Sequence, residues 1–305
     1  MNSYGEVNQP LVSIITLNYN QAPVTKAFLE SAKNLLYKNF EILVCDMDST
    51  VNPETVFNPA DYPHTRLFHS SKNLGFAGGN NWGIRQASGE FIFIVNNDTQ
   101  LTPDILEQLL APFYQNRAIG MVSPKIKYHA DHRIIQYAGF RKMNPFTGRT
   151  STIGDGEMDK GQYDISGVTH SAHGCAMMVK KEVIEKTGMF PEKFFLYYEE
   201  WDWSARIQKA GYLVWYQPGA TIYHKESMTV GRENPVKVYY HTRNRILYMR
   251  RNCDAFHQLV FFLFFTFFTL PKSIFIYLKN GQPSQLRWFL KAIGYNLVHS
   301  SRSAQ

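Results

Sequence analysis

Carboxylates stand at the ends of two apolar segments in the first third of the chain. Asp46 follows a segment that starts at Phe40, and Asp98 closes the tripeptide Asn96-Asn97-Asp98 after another such segment. A carboxylate at the end of a strand can hold a divalent cation, which neutralises the charge that develops on a diphosphate leaving group. Asp98 fits equally well as an ordinary turn residue that caps a following helix. The residues alone leave both interpretations open.

A further acidic group, Glu199-Glu200-Trp201-Asp202, begins a helical pattern that ends near Gly211. A carboxylate within hydrogen-bond reach of an attacking hydroxyl can accept its proton. Acids are also common in the first turn of a helix because they suit its dipole, so a structural role is the alternative. The same choice applies to His224, which follows a strand-like segment and is either a metal ligand or a structural residue.

Four glycines fall within nine residues of the segment Asn73-Leu-Gly-Phe-Ala-Gly-Gly-Asn-Asn-Trp-Gly83. A loop this rich in glycine lets backbone N–H groups approach a phosphate or a sugar closely. The segment has neither the Gly-x-Gly-x-x-Gly spacing of a dinucleotide fingerprint nor the Gly-Lys-Ser/Thr ending of a P-loop, so both are disfavoured. Close packing of a helix on a strand is the alternative explanation.

Positioning these groups requires a sheet, and the sequence predicts one. Apolar, β-branched segments alternate with helical patterns, which indicates an α/β fold with a mostly parallel, doubly wound sheet. Ligands of such sheets bind beyond the carboxyl ends of the strands, where Asp46 and Asp98 both stand. The expected strands are residues 11–17, 40–45, 65–69, 91–95, 175–179, 213–216 and 220–224.

The helical patterns cover residues 23–36, 103–116, 182–187, 199–211, 235–251 and 285–298, with a glycine-rich loop and helix at 75–87. Thr102 is the expected cap of the helix at 103–116. Residues 120–166 are rich in Gly, Pro, Thr and charged residues. We expect this part to form strands and mobile loops that are open to an acceptor.

The composition is that of a folded protein, with 44% apolar and 19% charged residues. Three cysteines without paired spacing indicate neither a disulfide framework nor a zinc ribbon, and they fit a reducing compartment. Residues 1–10 are polar and lack the pattern of a secretory signal. We therefore expect the catalytic part to stay in the cytoplasm.

Positive charge is concentrated towards the C-terminus, where residues 225–305 hold 12 Lys and Arg against 3 Asp and Glu. The same region contains a twelve-residue apolar run at 259–270, which Pro271 and Lys272 interrupt. Because a spanning helix needs about 20 apolar residues, we expect this run to lie in or dip into an anionic membrane surface. A buried core helix is the alternative. No known nucleic-acid-binding motif accompanies the charge, so no nucleic-acid partner is expected.

Seven ordered blocks resemble the family 2 glycosyltransferases, and within them the bacterial rhamnosyltransferase-like branch. The likeness extends over about residues 10–250, and the order of the blocks is far more specific than any single one. The blocks are Val12-Ser-Ile-Ile-Thr-Leu-Asn-Tyr-Asn20, Val44-Cys-Asp-Met-Asp-Ser49, Asn73-Leu-Gly-Phe-Ala-Gly-Gly-Asn80, Asn96-Asn-Asp98, Gly174-Cys-Ala-Met-Met178, Phe194-Phe-Leu-Tyr-Tyr-Glu-Glu-Trp-Asp202 and Tyr223-His224.

The resemblance implies a GT-A fold, an inverting reaction and a Mg²⁺ or Mn²⁺ ion that bridges the donor diphosphate. Asp98 corresponds to the last acid of the family's Asp-x-Asp element, whose first acid is replaced here by Asn96. Asp46 corresponds to a residue that hydrogen-bonds the nucleotide base. The implied nucleotide-sugar contacts are Thr16, Asn18, Asn20, Asp46, Asp48, Asn73, Gly75, Gly78, Asn80, Asn97 and Asp98.

The acidic cluster corresponds to the family's Glu-Asp-x-Asp motif, and this assigns the catalytic base to Glu200, with Glu199 as a possible substitute because the family usually has Asp. His224 corresponds to a histidine that completes the metal site. Arg243-Asn244-Arg245 resembles an Arg-Asn element of the family. The implied contacts to acceptor or diphosphate are Trp201, Asp202, Arg243 and Arg245.

The sequence therefore predicts a polar tail at residues 1–10, a catalytic domain at 11–234 and a basic, apolar helical extension at 235–305. The expected activity is transfer of a sugar, with rhamnose from dTDP-rhamnose as the expected donor, to a lipid-linked or cell-surface glycan. The expected location is the cytoplasmic face of the inner membrane, as a peripheral or monotopic protein.

Three alternatives stay open. A processive polysaccharide synthase shares the core, but it usually has several spanning helices and a Gln-x-x-Arg-Trp motif, whereas this chain has only Gln285-Leu-Arg-Trp288. A nucleotidyltransferase would need a basic glycine-rich motif at the first strand, where Asn18-Tyr19-Asn20 stands instead. A non-catalytic module that binds sugar or lipid carrier would have no need of Asp98, Glu200 and His224.

Overall fold

The first half of the sheet is parallel, as the alternation of strands and helices predicts. A computed structural model describes residues 9–62, 64–225 and 234–301. It contains β1 (Val12–Asn18), α1 (Ala22–Ala32), β2 (Phe40–Met47), β3 (Thr65–Ser70), α2 (Gly75–Gln86) and β4 (Phe91–Val95). These strands lie in the order β3-β2-β1-β4, and each neighbouring pair is parallel. The carboxyl ends of β1, β2 and β4 therefore meet at one edge.

The second half of the sheet is mixed. It contains β5 (Thr99–Leu101), α3 (Ile105–Gln115), β6 (Ile119–Tyr128), β7 (Ile135–Tyr137), β8 (Gly167–Val168), β9 (Ala176–Lys180) and β10 (Leu213–His224). The order continues β4-β9-β6-β10-β5, with β9 antiparallel to both β4 and β6, and β10 parallel to β6 but antiparallel to β5. Pairing of β10 with β5 brings His224 opposite Thr99, the residue after Asp98.

Six further helices complete the described chain: α4 (Lys181–Thr187), α5 (Glu199–Lys209), α6 (Pro235–Asn252), α7 (Ala255–Phe264), α8 (Leu270–Lys279) and α9 (Pro283–Val298). A π-helical turn, Phe265–Thr269, joins α7 to α8. Two apolar cores lie on the two faces of the sheet, around Phe93 on one and Trp203 on the other. A third core packs Phe194 and Trp201 against α6, α7 and α9. The C-terminal helices thus share a core with residues of the sheet region.

Three local predictions need correction. The glycine-rich segment is helical from Gly75 onward, because its glycines allow close packing on the sheet: a Cβ at Gly79 would lie 2.8 Å from the Met47 sulfur. The residue at the N-cap position of α3 is Asp104 and not Thr102. The Thr102 hydroxyl instead donates to the Thr221 carbonyl. The two expected C-terminal strands form the single strand β10, with an irregularity between Gln217 and Thr221.

Residues 120–166, where we expect strands and loops, contain most of the ten-residue strand β6. The sequence does not give the position of this strand, because Lys125 is buried in it and paired with Asp159 and Asp164. Those partners lie more than thirty positions further along the chain, so no local pattern indicates that the lysine is neutralised. The remainder of the region consists mainly of turns and isolated bridges, as expected.

The apolar run near the C-terminus is longer as a helix than the sequence predicts. Ala255–Lys279 is continuous over 25 residues, and among the described residues it is the one helix that is long and apolar enough to cross a membrane. Pro271 does not end it, because the preceding π-helical turn accommodates a residue without an N–H group. One stripe, including Phe261 and Phe265, packs into the third core. Phe256, Leu259, Leu263, Phe267, Phe268, Phe275 and Leu278 are exposed.

The predicted domain boundaries remain predictions. Most of the polar tail, residues 1–8, lies outside the described residues, as do residues 226–233 beside the boundary at 234/235. α6 nevertheless contacts α5 directly, through Arg251 and Asn252, which both bind Asp202.

Candidate active site

A cavity of about 720 Å³ opens at the carboxyl edge of the sheet, bounded on the other side by the segment before α5 and by α6. It brings together residues that are distant in sequence. The predicted site residues that line it are Asn73, Gly75, Asn97, Asp98, Glu199, Glu200, Trp201 and His224. The sequence-based expectation of a site beyond the strand ends is therefore matched by a cavity at that place.

A chain of buried hydrogen bonds connects three strand ends at the edge of this cavity. Asn97 Nδ2 donates to Thr25 Oγ1 at 2.8 Å, and Thr25 Oγ1 donates to Asn18 Oδ1 at 2.8 Å. Asn18 Nδ2 then donates to Asp46 Oδ1 at 2.6 Å, an oxygen that also accepts from Ser49 Oγ. Since every link is buried and directional, the network fixes the relative positions of β1, β2 and the turn that carries Asp98.

Asp98 lies in the turn between β4 and β5, so it does not cap a helix. Its Oδ1 is buried, receives no hydrogen bond of standard geometry from the described residues, and lies 3.1 Å from His224 Nε2. His224 Nδ1 is 2.8 Å from Gln136 Oε1, an atom that can only accept. Nδ1 therefore carries a proton, and Nε2 faces Asp98.

Asp98 and His224 could supply two of the ligands of a divalent cation. Burial opposes a positive charge on His224, but Cys175 and Asp98 beside it outweigh burial and hold the pKa of the imidazole well above its ordinary value. A carboxylate oxygen and an imidazole nitrogen are both ligands for divalent cations, and a ligand histidine commonly donates its other N–H to a carbonyl. The described residues contain no group of three or more His, Cys, Asp or Glu side chains that could hold an ion by themselves.

Glu199 and Glu200 begin α5 and face the cavity with different surroundings. Burial raises the pKa of Glu200 to about 7. Burial and the charge of Glu200 together raise the pKa of Glu199 well above its ordinary value, and Glu199 Oε2 has no partner among the described residues. Of the two, Glu200 is the more exposed and ionises first, while Glu199 keeps its proton.

The segment that delivers these acids is held in a strained conformation. Phe195, Tyr197 and Tyr198 have φ angles of 63°, 69° and 74°, in the left-handed region that side chains rarely adopt. Asn244 Nδ2 lies 2.9, 2.7 and 2.7 Å from the carbonyl oxygens of residues 194, 196 and 197. Arg243 donates to the same Phe194 carbonyl and to Asn244 Oδ1. Arg243 and Asn244 thus clamp the backbone that leads into the acidic cluster.

Several predicted contact residues have other partners. Asp202 is buried and bonded to Arg206, Arg251 and Asn252, so it holds α5 to α6 and has no free acceptor to offer a substrate. Arg243 is committed to the clamp. Gly78 and Asn80 lie within α2 and do not line the cavity. Asn80 Nδ2 donates to the Phe76 carbonyl of the same helix.

The remaining predicted residues lie around the rim or behind it. Thr16 is buried inside β1, Asn20 accepts from Thr50, and Asp48 is exposed with a φ of 62°. Arg245 lies over the rings of Phe261 and Phe265 and does not line the cavity. Asp46 is anchored by Asn18 and Ser49, with His69 Nδ1 at 3.7 Å from its second oxygen.

Two residues of the site were not predicted. Gln136 orients His224 from a strand 88 positions earlier, and no local signal could have identified it. His173 lines the cavity, and burial together with His224 lowers its pKa to about 3, so it stays neutral. His173 directly precedes the Gly174 block that carried part of the family resemblance, and this adjacency was the available signal.

Comparison with known proteins adds an independent line of support. Residues 13–188 match the model of the family described as Glycosyl transferase family 2. An N-acetylglucosaminyl-diphospho-decaprenol L-rhamnosyltransferase from Mycobacterium tuberculosis is 22% identical over 263 residues, which cover 78% of this chain and 84% of that protein. The protein y4gI from Sinorhizobium fredii is 27% identical over 256 residues, but the match covers 79% of this chain and only 27% of that relative's length.

A solved structure has the same fold. The mannosyltransferase PcManGT from Pyrobaculum calidifontis, determined in complex with GDP-Man and Mn²⁺, matches with a TM-score of 0.61 at 16% identity. The match covers 96% of this chain and 88% of that chain. It therefore includes the C-terminal helices as well as the sheet.

Proposed function

The chain belongs to Glycosyl transferase family 2 and is a glycosyltransferase with a GT-A fold, and we propose that it is inverting and metal-dependent. The proposed donor is a nucleotide diphosphate sugar, and the proposed acceptor is a hydroxyl of a lipid-linked glycan. The observation that carries this proposal is the cavity in which Asp98, His224 and Glu200 converge from three separate parts of the chain.

Asp98 and His224 are the proposed holders of a Mg²⁺ or Mn²⁺ ion. Two observations support this fit. Asp98 Oδ1 is buried without a hydrogen bond of standard geometry, and His224 Nε2 faces it because Gln136 holds the other ring nitrogen. When bound, such an ion neutralises the charge that develops on the leaving diphosphate. An ion with two protein ligands has further coordination positions for oxygens of the donor itself. Asn96, which replaces the first carboxylate of the family element, is consistent with this small number of protein ligands.

Glu200 is the proposed base. The attacking hydroxyl of the acceptor must lose its proton, and an acid with a pKa of about 7 is half ionised near neutral pH and able to accept it. Glu199, which keeps its proton beside Glu200, can donate a hydrogen bond to substrate and is the less suitable base. Trp201 lines the same wall and is a proposed surface for the acceptor sugar.

Asn18, Asp46 and Asn97 are the proposed determinants of the nucleotide pocket, together with Asn73 and Gly75, which line the cavity. Their hydrogen-bond chain pre-positions Asp46, so binding a base would require little rearrangement. Rhamnose from dTDP-rhamnose is the proposed donor sugar, supported by the relative from Mycobacterium tuberculosis.

The proposed location is the cytoplasmic face of the inner membrane, with the protein bound to one leaflet. The helix Ala255–Lys279 is packed along one side on the third core, and its exposed stripe is apolar. If this helix crossed the bilayer, α6 and α9, which pack on its core side and carry basic residues, would be drawn into hydrocarbon. A helix that lies in the interface avoids this, and the lipid-linked acceptor of the relative named above fits such a placement.

The processive synthase is the less favoured alternative. Trp288 of the Gln285-Leu-Arg-Trp288 segment lies on α9 and packs against Tyr239, and it is not among the residues that line the cavity. Within the described ranges one helix, not several, is long and apolar enough to span a membrane.

A donor screen tests the proposed function. Purified protein is incubated with thymidine, uridine and guanosine diphosphate sugars, with Mn²⁺, Mg²⁺ or EDTA, and with extracted lipid-linked glycans, and nucleotide release is measured. We expect release with one donor class, stimulated by acceptor and abolished by EDTA. Release that is unaffected by EDTA would contradict metal dependence, and no release with any donor and acceptor would contradict the proposal.

A further inference from the structure

Arg245 on α6 is a half-buried cation without a conventional partner. Its Nε and Nη2 atoms are inaccessible and make no hydrogen bond to any described residue. The guanidinium lies over two rings of the apolar helix, 5.8 Å from the centre of Phe261 and 5.2 Å from that of Phe265. Buried arginines normally have several acceptors, as Arg243 and Arg251 do on the same helix. The missing acceptor for Arg245 requires an explanation.

A second cation stands beside it. Arg149 is exposed at the end of the turn 144–149, and the glycine before it, Gly148, lies against the Arg245 side chain. Neither arginine forms a salt bridge with a carboxylate of the described residues. Burial and Arg149 lower the pKa of Arg245 to about 10, which leaves the Arg245 guanidinium charged at neutral pH. Two like charges held together in this way form a site that attracts an anion.

The pair lies between the cavity and the apolar helix. Tyr198 lines the cavity, and its hydroxyl donates at 3.4 Å to the carbonyl of Gly148, the glycine that lies against the Arg245 side chain. On the other side, the turn packs through Phe146 on Phe256 and His257 at the start of α7. An anion bound here would have the transfer cavity on one side and the proposed membrane-facing helix on the other.

We propose that Arg149 and Arg245 bind the diphosphate of a prenyl-diphosphate-linked acceptor, whose sugar enters the cavity and whose apolar chain follows α7. The assignment rests on the proposed function and names the acceptor class for the same site. A planar guanidinium matches phosphate oxygens in a fork geometry, and a diphosphate supplies the acceptors that Arg245 lacks. The donor diphosphate has a different place, at Asp98 and His224, so the two diphosphates do not compete.

Calorimetric titration of the full chain with geranyl diphosphate tests this site. EDTA in the buffer keeps the probe from binding through a divalent ion at Asp98. Loss of charge-assisted hydrogen bonds predicts that Arg245→Met weakens binding by about tenfold or more, and Arg149→Met by a smaller factor. Arg117→Met, which removes an exposed arginine far from the turn, should bind like wild type. Geraniol, which lacks the diphosphate, should not distinguish the variants.

Melting temperatures separate binding from a structural role. Removal of an unpartnered buried cation predicts that Arg245→Met melts no lower than wild type, whereas a structural arginine would lower the melting temperature when replaced. Equal geranyl diphosphate affinity in wild type and Arg245→Met would overturn the proposal. If the Met variant does not fold, Arg149→Met and Arg245→Lys decide, because unchanged affinity in both would overturn it as well.

Two further probes identify the source of the anion. Inorganic pyrophosphate that binds as tightly as geranyl diphosphate, with the same dependence on Arg245, would indicate a free phosphate site and contradict the lipid assignment. If Arg245→Met loses binding to phosphatidylglycerol vesicles but keeps its affinity for geranyl diphosphate, Arg245 contacts a lipid headgroup. That result would also contradict the lipid-acceptor assignment. Nucleotide release is measured on the same preparations with donor, acceptor and Mn²⁺ in place of EDTA. Its absence in every preparation would contradict the proposed function while leaving the geranyl diphosphate result intact.

Discussion

Glu200 and Glu199 show how two identical side chains acquire different roles from their surroundings. Both are taken out of water at the start of α5, but Glu199 is more deeply buried and also meets the charge of its neighbour. The pair therefore shares protons unequally, with Glu200 as the group that changes charge near neutral pH. The sequence identified this cluster but could not assign the pKa values, because burial depends on packing from distant residues.

The pH dependence of activity follows from this assignment. We expect kcat/KM to rise about tenfold per pH unit below pH 7 and to level off above it, because Glu200 must be ionised to accept a proton. Initial rates of nucleotide release between pH 5.5 and 8.5 measure the profile. Glu54→Gln, which replaces an exposed glutamate, is the control and should keep the wild-type profile. A flat profile would contradict Glu200 as the base.

Glu200 also affects the pH dependence of stability. Its folded-state pKa of about 7 exceeds that of the unfolded chain, so folding takes up a proton between the two values. Stability from this group is present at low pH and is lost as the pH rises towards and through 7. We expect Glu200→Gln to be more stable than wild type at pH 8 and to lose this advantage at pH 5, as measured by urea denaturation. An advantage that is independent of pH would contradict the raised pKa.

Gln136 is the positioning residue whose effect is most specific. By accepting from His224 Nδ1, it leaves Nε2 free to face Asp98. Loss of such a partner typically weakens metal affinity by about 10- to 100-fold. We expect Gln136→Leu to weaken Mn²⁺-dependent nucleotide binding to that degree, and Gln136→Glu, which keeps an acceptor, to restore most of it. Equal metal dependence in wild type and Gln136→Leu would show that His224 needs no such orientation.

At the scale of elements, the strained segment before α5 depends on α6. The left-handed residues Phe195, Tyr197 and Tyr198 persist because Asn244 binds the carbonyl groups around them. The sequence identified the Arg243-Asn244-Arg245 element from family resemblance but assigned it to substrate. The structure gives it two roles, since Arg243 and Asn244 hold backbone while Arg245 has no acceptor among the described residues.

Replacement of Asn244 tests the clamp. We expect Asn244→Ala to lower kcat by at least about tenfold while leaving nucleotide affinity within about twofold, because the segment relaxes and the acids move while Asp98 does not. Asn81→Ala is the matched control. Asn81 is also buried and bonded to backbone, at Phe190, so its loss should lower the melting temperature similarly but retain kcat. Equal losses of kcat in the two variants would contradict a positioning role.

The predictability of the elements follows from where their stabilising contacts lie. β1, β2 and β4 are mainly apolar strands buried on both faces, so their positions are predicted to within two residues. β6 lies in the region where strands are expected, but the sequence does not give its position, because Lys125 is neutralised by Asp159 and Asp164 far along the chain. The 25-residue apolar helix was underestimated because a π-helical turn, which has no sequence signature of its own, accommodates Pro271.

At the scale of the whole molecule, the third core joins the catalytic cavity to the proposed membrane surface. Trp201, which lines the cavity, and Phe261, which lies on the apolar helix, belong to the same cluster. Binding to a bilayer would therefore set the height of the cavity above the membrane.

Exposed phenylalanines on the apolar helix provide the test of membrane docking. Phe267 and Phe268 are 67% and 65% exposed, so Phe267→Ser with Phe268→Ser removes apolar surface without disturbing the core. We expect at least about tenfold weaker sedimentation with phosphatidylglycerol vesicles and an unchanged melting temperature. Leu36→Ser, which removes a leucine that is 60% exposed on the catalytic part, should bind vesicles like wild type. Unchanged vesicle binding in the double variant would contradict docking through this face.

The most direct test of the whole account separates donor binding from transfer in two variants. Nucleotide affinity is measured by calorimetry with and without Mn²⁺, and transfer is measured on the same preparations of wild type, Asp98→Ala and Glu200→Gln. We expect both variants to lose transfer, but only Asp98→Ala to lose the part of the affinity that depends on Mn²⁺. Equal Mn²⁺-dependent affinity in wild type and Asp98→Ala would remove Asp98 from the metal site and contradict the central claim.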